Sequence, residues 1–236
     1  MMEDPIHIVL LKLLLVAGVG GSLIWIFWSL RQVDVLSRRK QLEQFAKSSG
    51  WSFYPKKKAS VCEAIPDSIR LHLGSVTRPI NLIEGKYDAL RFVCFDFGFS
   101  SNGDEYFVDD YRSCVLVEPG CKMDFLLIRK QEVKDAIAGQ GLGVAFESVE
   151  FSKTFLVLAD DERWAYDVIH PLMMEFLLLN TDYVIEFGKH GLFLYKSGLF
   201  SNEEFKEAIE IGCGIMERIP DFVKQELGWE QKVVKV

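Results

Sequence analysis

The apolar positions along this chain fall into three regimes. Residues Ile8–Leu30, IVLLKLLLVAGVGGSLIWIFWSL, run unbroken with a single charge, Lys12. At about 1.5 Å per residue this run reaches across a hydrocarbon core of roughly 30 Å, and a backbone inside lipid must bond to itself, so the pattern predicts a transmembrane helix. Lys12 lies near the end of the run, where its ammonium can snorkel to the headgroups, and Trp25 and Trp28 fall at the exit, where indoles favour the interface. The run is longer than the apolar core of a secretory signal and ends in bulky IWIFWSLR without a small-x-small cleavage site, which favours an uncleaved anchor.

The second regime, residues 31–49, has helical spacing at Leu42, Phe45 and Ala46, with Gly50 where a left-handed C-cap falls. Trp51–Tyr54 reads as a short strand and PKKKAS as a solvated loop.

The third regime opens with β periodicity: short runs of Ile, Val, Phe and Tyr bounded by turn residues, at Arg70–Gly74, Ile80–Tyr87, Leu90–Phe97, Arg112–Glu118 and Asp124–Ile128. In LRFVCFDFGF, alternation places Phe92, Cys94, Asp96 and Gly98 on one face and Val93, Phe95, Phe97 and Phe99 on the other, the signature of a central strand. Short connections such as Lys86–Ala89 imply antiparallel hairpins.

Beyond Arg129, Gln131–Ala138 suggests a short helix and Val149–Leu158 a strand, alternating through Phe151, Phe155 and Val157. Asp160 is placed to cap a helix from about Glu162 to Leu179, which Pro171 must kink or split. Tyr183–Phe187 and Leu192–Tyr195 form a hairpin. Ser201-Asn-Glu-Glu204 is a capping box, with Phe200 and Phe205 as its hydrophobic staple, and opens a helix to about Arg218 that Pro220 stops. The expected class is α+β: an N-terminal transmembrane helix, then a mostly antiparallel sheet with packed helices. The domain organisation reads as an anchor at 1–30, a basic juxtamembrane helix and stalk at 31–58, and an α+β domain at 59–236.

Charge adds an orientation. Residues 31–60 carry eight Lys/Arg against two acids, whereas residues 61–236 carry eighteen against thirty. Arg31, Arg38, Arg39, Lys40 and Lys47 follow the apolar run while Glu3 and Asp4 precede it, so the positive-inside rule places the large domain in the cytoplasm of a single-pass protein. Arg31, Arg38, Arg39, Lys40 and Lys56–Lys58 form a surface for anionic headgroups, and the acidic body is repelled from nucleic acid. Five cysteines, an odd number without CxxC spacing, argue against a disulfide framework and fit a reducing compartment. Ala17/Gly21 and Gly18/Ser22 have the small-xxx-small spacing that lets membrane helices approach, so membrane lipid, another membrane protein and a second copy are the expected partners.

Chemistry is thinly marked. Asp96 on an apolar strand is a carboxylate that burial penalises unless it is paired, and such groups sometimes serve as acids or bases. With His170, or with His72, it is the weak candidate for a hydrolytic pair; His190 is a further candidate proton carrier, although no HxxxH or HExxH pattern supports a metal or proton relay. Asp104, Asp109 and Asp110 in SSNGDEYFVDDY are weak candidates for a hard cation but lack the spacing of an EF-hand loop. Gly139, Gly141 and Gly143 resemble a phosphate loop only superficially, with no strand leading in. Cys94 and Cys114 sit in strands, where free cysteine behaves as a small apolar side chain. No cofactor is implied, and the balance leans away from an enzyme.

Residues 151–174, FSKTFLVLADDERWAYDVIHPLMM, resemble a segment of uncharacterised bacterial membrane-anchored proteins, a domain-of-unknown-function family. There an F-x-K-x-F-x-V strand leads through acids to a helix ending at a proline and a methionine-rich turn. The resemblance covers about a tenth of the chain and implies a bacterial protein with a cytoplasmic domain, without an activity. Those proteins commonly carry two membrane helices where this chain has one. The leading expectation is a membrane-anchored interaction or scaffold module. The alternatives are a membrane-bound hydrolase using Asp96 and a histidine, and a lipid-surface sensor acting through the basic stalk.

Overall fold

The computed structural model describes residues 36–56, 65, 75–76, 79–100, 110–132, 143–180 and 182–229. The predicted span at Ile8–Leu30 lies outside these residues, as do the predicted strand Arg70–Gly74 and most of the helix predicted at Gln131–Ala138. Among the described residues no helix is long and apolar enough to cross a membrane, so the membrane part of the expected fold has no support in this structure.

The chain divides into two compact units, Met1–Gln44 and Phe45–Val236. Helix α1, residues 36–48, runs through the division, and Leu42, Phe45 and Ala46 are its buried positions. It ends as the spacing predicts, with Gly50 at φ 73. The strands and helices that follow lie in the second unit.

Among the described residues nine strands form one sheet: β1 (Ser52–Lys56), β2 (Ser75–Val76), β3 (Ile80–Tyr87), β4 (Leu90–Ser100), β5 (Asp110–Glu118), β6 (Leu126–Lys130), β7 (Phe155–Ala159), β8 (Val184–Gly188) and β9 (Gly191–Tyr195). The order is β1-β3-β4-β5-β9-β8-β6-β7, with β2 on β4. Every pairing is antiparallel. Pro55, which has no amide hydrogen to donate, is tolerated because β1 ends the path. The segment read as a stalk thus supplies an edge strand to the sheet.

Cross-strand register explains the unbroken apolar runs. One row passes through Phe92, Val117, Leu192, Phe187 and Leu126, and its neighbour through Cys94, Val115, Leu194, Ile185 and Ile128. On the opposite face Val93, Leu116, Phe193, Glu186 and Leu127 align. All fifteen are buried, so this antiparallel sheet is covered on both faces, as strands with continuous apolar sequence require. The alternation read in β4 is confirmed, since Val93, Phe95 and Phe97 join Leu82, Cys114, Leu116, Phe193 and Tyr195 in one cluster.

The helices are α2 (Val149–Thr154), α3 (Glu162–Val168), α4 (Pro171–Asn180), α5 (Asn202–Arg218) and α6 (Asp221–Glu226). Here two expectations fail. Residues 149–154 form a helical turn, capped by Ser148 accepting from the Phe151 amide, and only Phe155–Ala159 is strand. Phe151 and Phe155, whose rings lie 5.0 Å apart, are spaced by four, a separation that suits one face of a strand and one face of a helix equally. The cap of α3 is Asp161, whose carboxylate accepts from the Arg163 amide at 2.9 Å, not Asp160. Pro171 does split the helix, taking the first position of α4, where its missing amide hydrogen is not needed.

Helix α5 lies against β5, β9, β3 and β4. Ser201 and Glu204 form the capping box, with the Glu204 amide donating to Ser201 Oγ at 3.1 Å and the Ser201 amide to Glu204 Oε2 at 2.7 Å. The staple rings of Phe200 and Phe205 stand 5.3 Å apart.

Gly191 closes the β8–β9 hairpin at φ 144, and a Cβ built there would stand 2.2 Å from the Val117 carbonyl oxygen. That conformation is essentially reserved for glycine. Gly191→Ala should therefore lower stability by at least about 1–3 kcal/mol in urea denaturation, and an unchanged midpoint would show that this close approach is dispensable.

Candidate functional site

Asp96 is the sequence candidate that the structure characterises best. It is 1% exposed and sits opposite Ser113 in the β4–β5 ladder. Ser113 Oγ donates to Asp96 Oδ1 at 2.5 Å, and Asn81 Nδ2 donates to Asp96 Oδ2 at 3.1 Å. Asn81 reaches this position from a bulge where the β3–β4 register shifts, and it adopts φ 54, a left-handed conformation that asparagine tolerates better than most residues. The Phe200 amide donates to Ser113 Oγ at 2.9 Å, and the Ser113 amide donates to the Gly198 carbonyl. These bonds tie a bulged strand, the sheet centre and the approach to α5. They are what a buried carboxylate needs to be tolerated.

The described histidines sit elsewhere on the fold. His170, half-buried between α3 and α4, donates from Nε2 to the Arg218 carbonyl at 2.9 Å and so fastens α4 to the last turn of α5. His190 is exposed in the β8–β9 turn, and His72 lies outside the described residues.

Asp104 and Asp109 also lie outside, and Asp110 begins β5. Among the described residues no group of His, Cys, Asp and Glu is arranged to hold a metal ion. Of the basic candidates, Arg39 and Lys40 are exposed on α1 and Arg38 is half-buried, Lys56 ends β1, and Arg31, Lys57 and Lys58 lie outside. Gly143, the one described residue of the glycine-rich stretch, packs its missing Cβ against the Val157 carbonyl at the edge of β7.

Burial pushes the Cys94 and Cys114 thiols well above their ordinary range, the Glu186 carboxylate adding to the effect on Cys114. Burial first and then Glu217 push Cys213 up to about 12. Since the thiolate is the nucleophile, these three are apolar packing elements at neutral pH.

Two polar groupings escaped the sequence reading. Glu186, 2% exposed on the face opposite α5, accepts from the Tyr195 hydroxyl at 3.4 Å. Burial and this carboxylate hold the Tyr195 phenol far above its usual range. An acid between Ile185 and Phe187 in a strand was the available signal. At the start of α5, Lys196 Nζ lies 2.7 Å from Glu204 Oε1 and 4.7 Å from the centre of the Tyr183 ring, while the Tyr183 hydroxyl donates to Glu207 Oε2 at 2.8 Å.

The surface offers a different feature. Helix α4 is apolar nearly all round: Met173 and Leu177 point inward, yet Leu172 is 65% and Leu179 84% exposed. Phe176 lies over Gly214 of α5 and carries the Arg218 guanidinium 4.0 Å from its ring centre.

The fold defines the protein as an α+β domain built on a wide antiparallel sheet. No protein-family model matches the chain, residues 151–174 included, and no curated protein matches it. Among solved structures it is similar to the crystal structure of the mycobacterial trehalose monomycolate transport factor A, TtfA, with a TM-score of 0.55 and 11% identity, covering 77% of this chain and 96% of that one. At that identity the likeness is one of fold.

Ser113→Ala removes both the donor to Asp96 and the acceptor of the Phe200 amide, so it should cost about 1–3 kcal/mol in chemical denaturation; a near-neutral result would show the node to be dispensable. A second expectation concerns pH. The hydrogen bond from Lys196, then that from the Ser201 amide, hold the Glu204 carboxyl below its usual range. A depressed folded pKa contributes stability above the unfolded value, about 4.3 for glutamate, that is lost as pH falls through the lower folded value. The stability gap between wild type and Glu204→Gln should be constant near neutrality and shrink below about pH 4. A gap that grows on acidification would reverse this assignment.

Proposed function

We propose that this chain is a non-catalytic docking module that works at a membrane as an accessory of lipid transport. The observation that carries the reading is the fold likeness to a protein described as a trehalose monomycolate transport factor, a likeness that takes in nearly all of that chain. Two features support it. The conspicuous buried carboxylate, Asp96, is engaged by Asn81 and Ser113 as a structural group, while α4 presents leucines to solvent. Exposed apolar side chains on an ordered helix suit binding.

In this reading the apolar run at residues 8–30 anchors a single-pass protein, and Arg31, Arg38, Arg39, Lys40 and Lys56–Lys58 hold the domain near anionic headgroups on the cytoplasmic side. The transported molecule is a lipid or glycolipid handled by a partner, and the α+β domain holds that partner.

The test is affinity purification of the full chain from detergent-solubilised membranes, with extraction of co-purifying lipid. The expected outcome is one recurrent membrane partner and enrichment of a lipid class relative to the bulk membrane. Repeated recovery of neither would end the reading.

A further inference from the structure

We infer that the outer surface shared by α4 and α5 docks a cationic amphipathic segment of a partner protein. This deepens the docking reading above by naming the surface and the chemistry of what it binds. The two helices run antiparallel and are fastened at both ends: His170, just before α4, donates to the Arg218 carbonyl, and Tyr183, just after it, donates to Glu207. The surface is therefore preorganised, and binding need not order it.

Along α4, Leu172 and Leu179 are seven residues apart, two helical turns on one stripe, with half-buried Phe176 between them. Beside this stripe α4 adds Glu175, and the first turns of α5 carry Glu203 and Glu207, all exposed, with Glu207 accepting from Tyr183 just after α4; Glu210 and Glu217 lie on the flank of α5 that faces Tyr87 of the β3–β4 hairpin. The exposed bases on the same two helices are Lys206 and Arg218. Arg218 is committed inward, stacked on Phe176 and donating from a guanidinium nitrogen to the Gly214 carbonyl at 2.8 Å.

An apolar stripe edged by three acids is complementary to a helix that carries leucine-like anchors at heptad spacing and lysine or arginine beside them. It is mismatched to an anionic bilayer, which would be repelled by the same acids. The observations thus favour a protein segment over a lipid surface as occupant.

The experiment places the full chain in phosphatidylcholine nanodiscs and titrates it against a fluorescein-labelled amphipathic Leu–Lys peptide, read by anisotropy. The Leu–Glu counterpart and phosphatidylglycerol-containing vesicles are the comparison probes. Binding of the Leu–Lys peptide should weaken at least about fivefold in Leu172→Ser/Leu179→Ser, because truncated central anchors typically dominate such interfaces. It should also weaken, and lose salt dependence, in Glu175→Lys/Glu203→Lys. The control Asp124→Lys/Asp160→Lys makes the same net charge change on exposed loops outside this surface and should bind as wild type does.

Equal weakening in the control would reduce the effect to net charge and overturn the proposal. So would equal binding of the Leu–Glu peptide, no binding at all, or vesicle binding that the leucine variants abolish, the last assigning the surface to lipid. Recurrent recovery of a partner from membranes, together with failure here, would leave the docking function standing and move it to another face.

Discussion

The buried carboxylate of Asp96 must be satisfied, and the way this is done organises the domain. One hydroxyl, that of Ser113, donates to Asp96 and accepts the Phe200 amide. A single side chain therefore links the middle of the sheet to the strand–helix connection that delivers α5 onto it. From the other side the bulge in β3 brings Asn81 to the second carboxylate oxygen, at the expense of a left-handed backbone. Such a node is stabilising only when complete, because each polar atom left unpaired in an apolar setting costs more than its bond returns.

Around this node the sheet has almost no polar surface left to expose. Both faces are buried, the thiols are protonated, and Glu186 and Tyr195 share a hydrogen bond inside the core. Gly214 lets Phe176 of α4 come close to α5, and that closeness is also what orders the Arg218 guanidinium. The surface that α4 presents combines exposed leucines with Glu175 on a helix fastened at both ends.

Much of the fold was legible where one physical signal dominated. β3 and the two faces of β4 followed from period-two alternation, the entry of α5 from its capping box, and the division between α3 and α4 from Pro171. The reading failed where two signals coincided. Phe151 and Phe155 satisfy helical and strand spacing alike, and Ser148 decided the matter by capping a turn. Asp160 and Asp161 are chemically equivalent caps, and only the geometry of the first turn separates them.

The candidate site divides in the same way. From sequence, Asp96 stood out as an acid on an apolar strand, which burial penalises unless it is paired, and in the fold Asn81 and Ser113 pair it. Those partners lie 15 and 17 residues away along the chain. Glu186 went unnoticed because an acid in a strand is ordinarily solvated. Its burial depends on both sheet faces being covered, which no local pattern reveals.

By itself, then, the sequence determined the local elements, their caps and breaks, the alternation of faces, and the separation of a basic segment from an acidic body. Those properties depend on neighbours within a few residues and on covalent composition. Strand order, the pairing of Asp96 with Ser113, the burial of Glu186 and the exposure of the α4 leucines were decided by tertiary structure. Each requires surfaces distant in sequence to meet, and only the closed packing of sheet and helices specifies which surfaces meet and which remain outside.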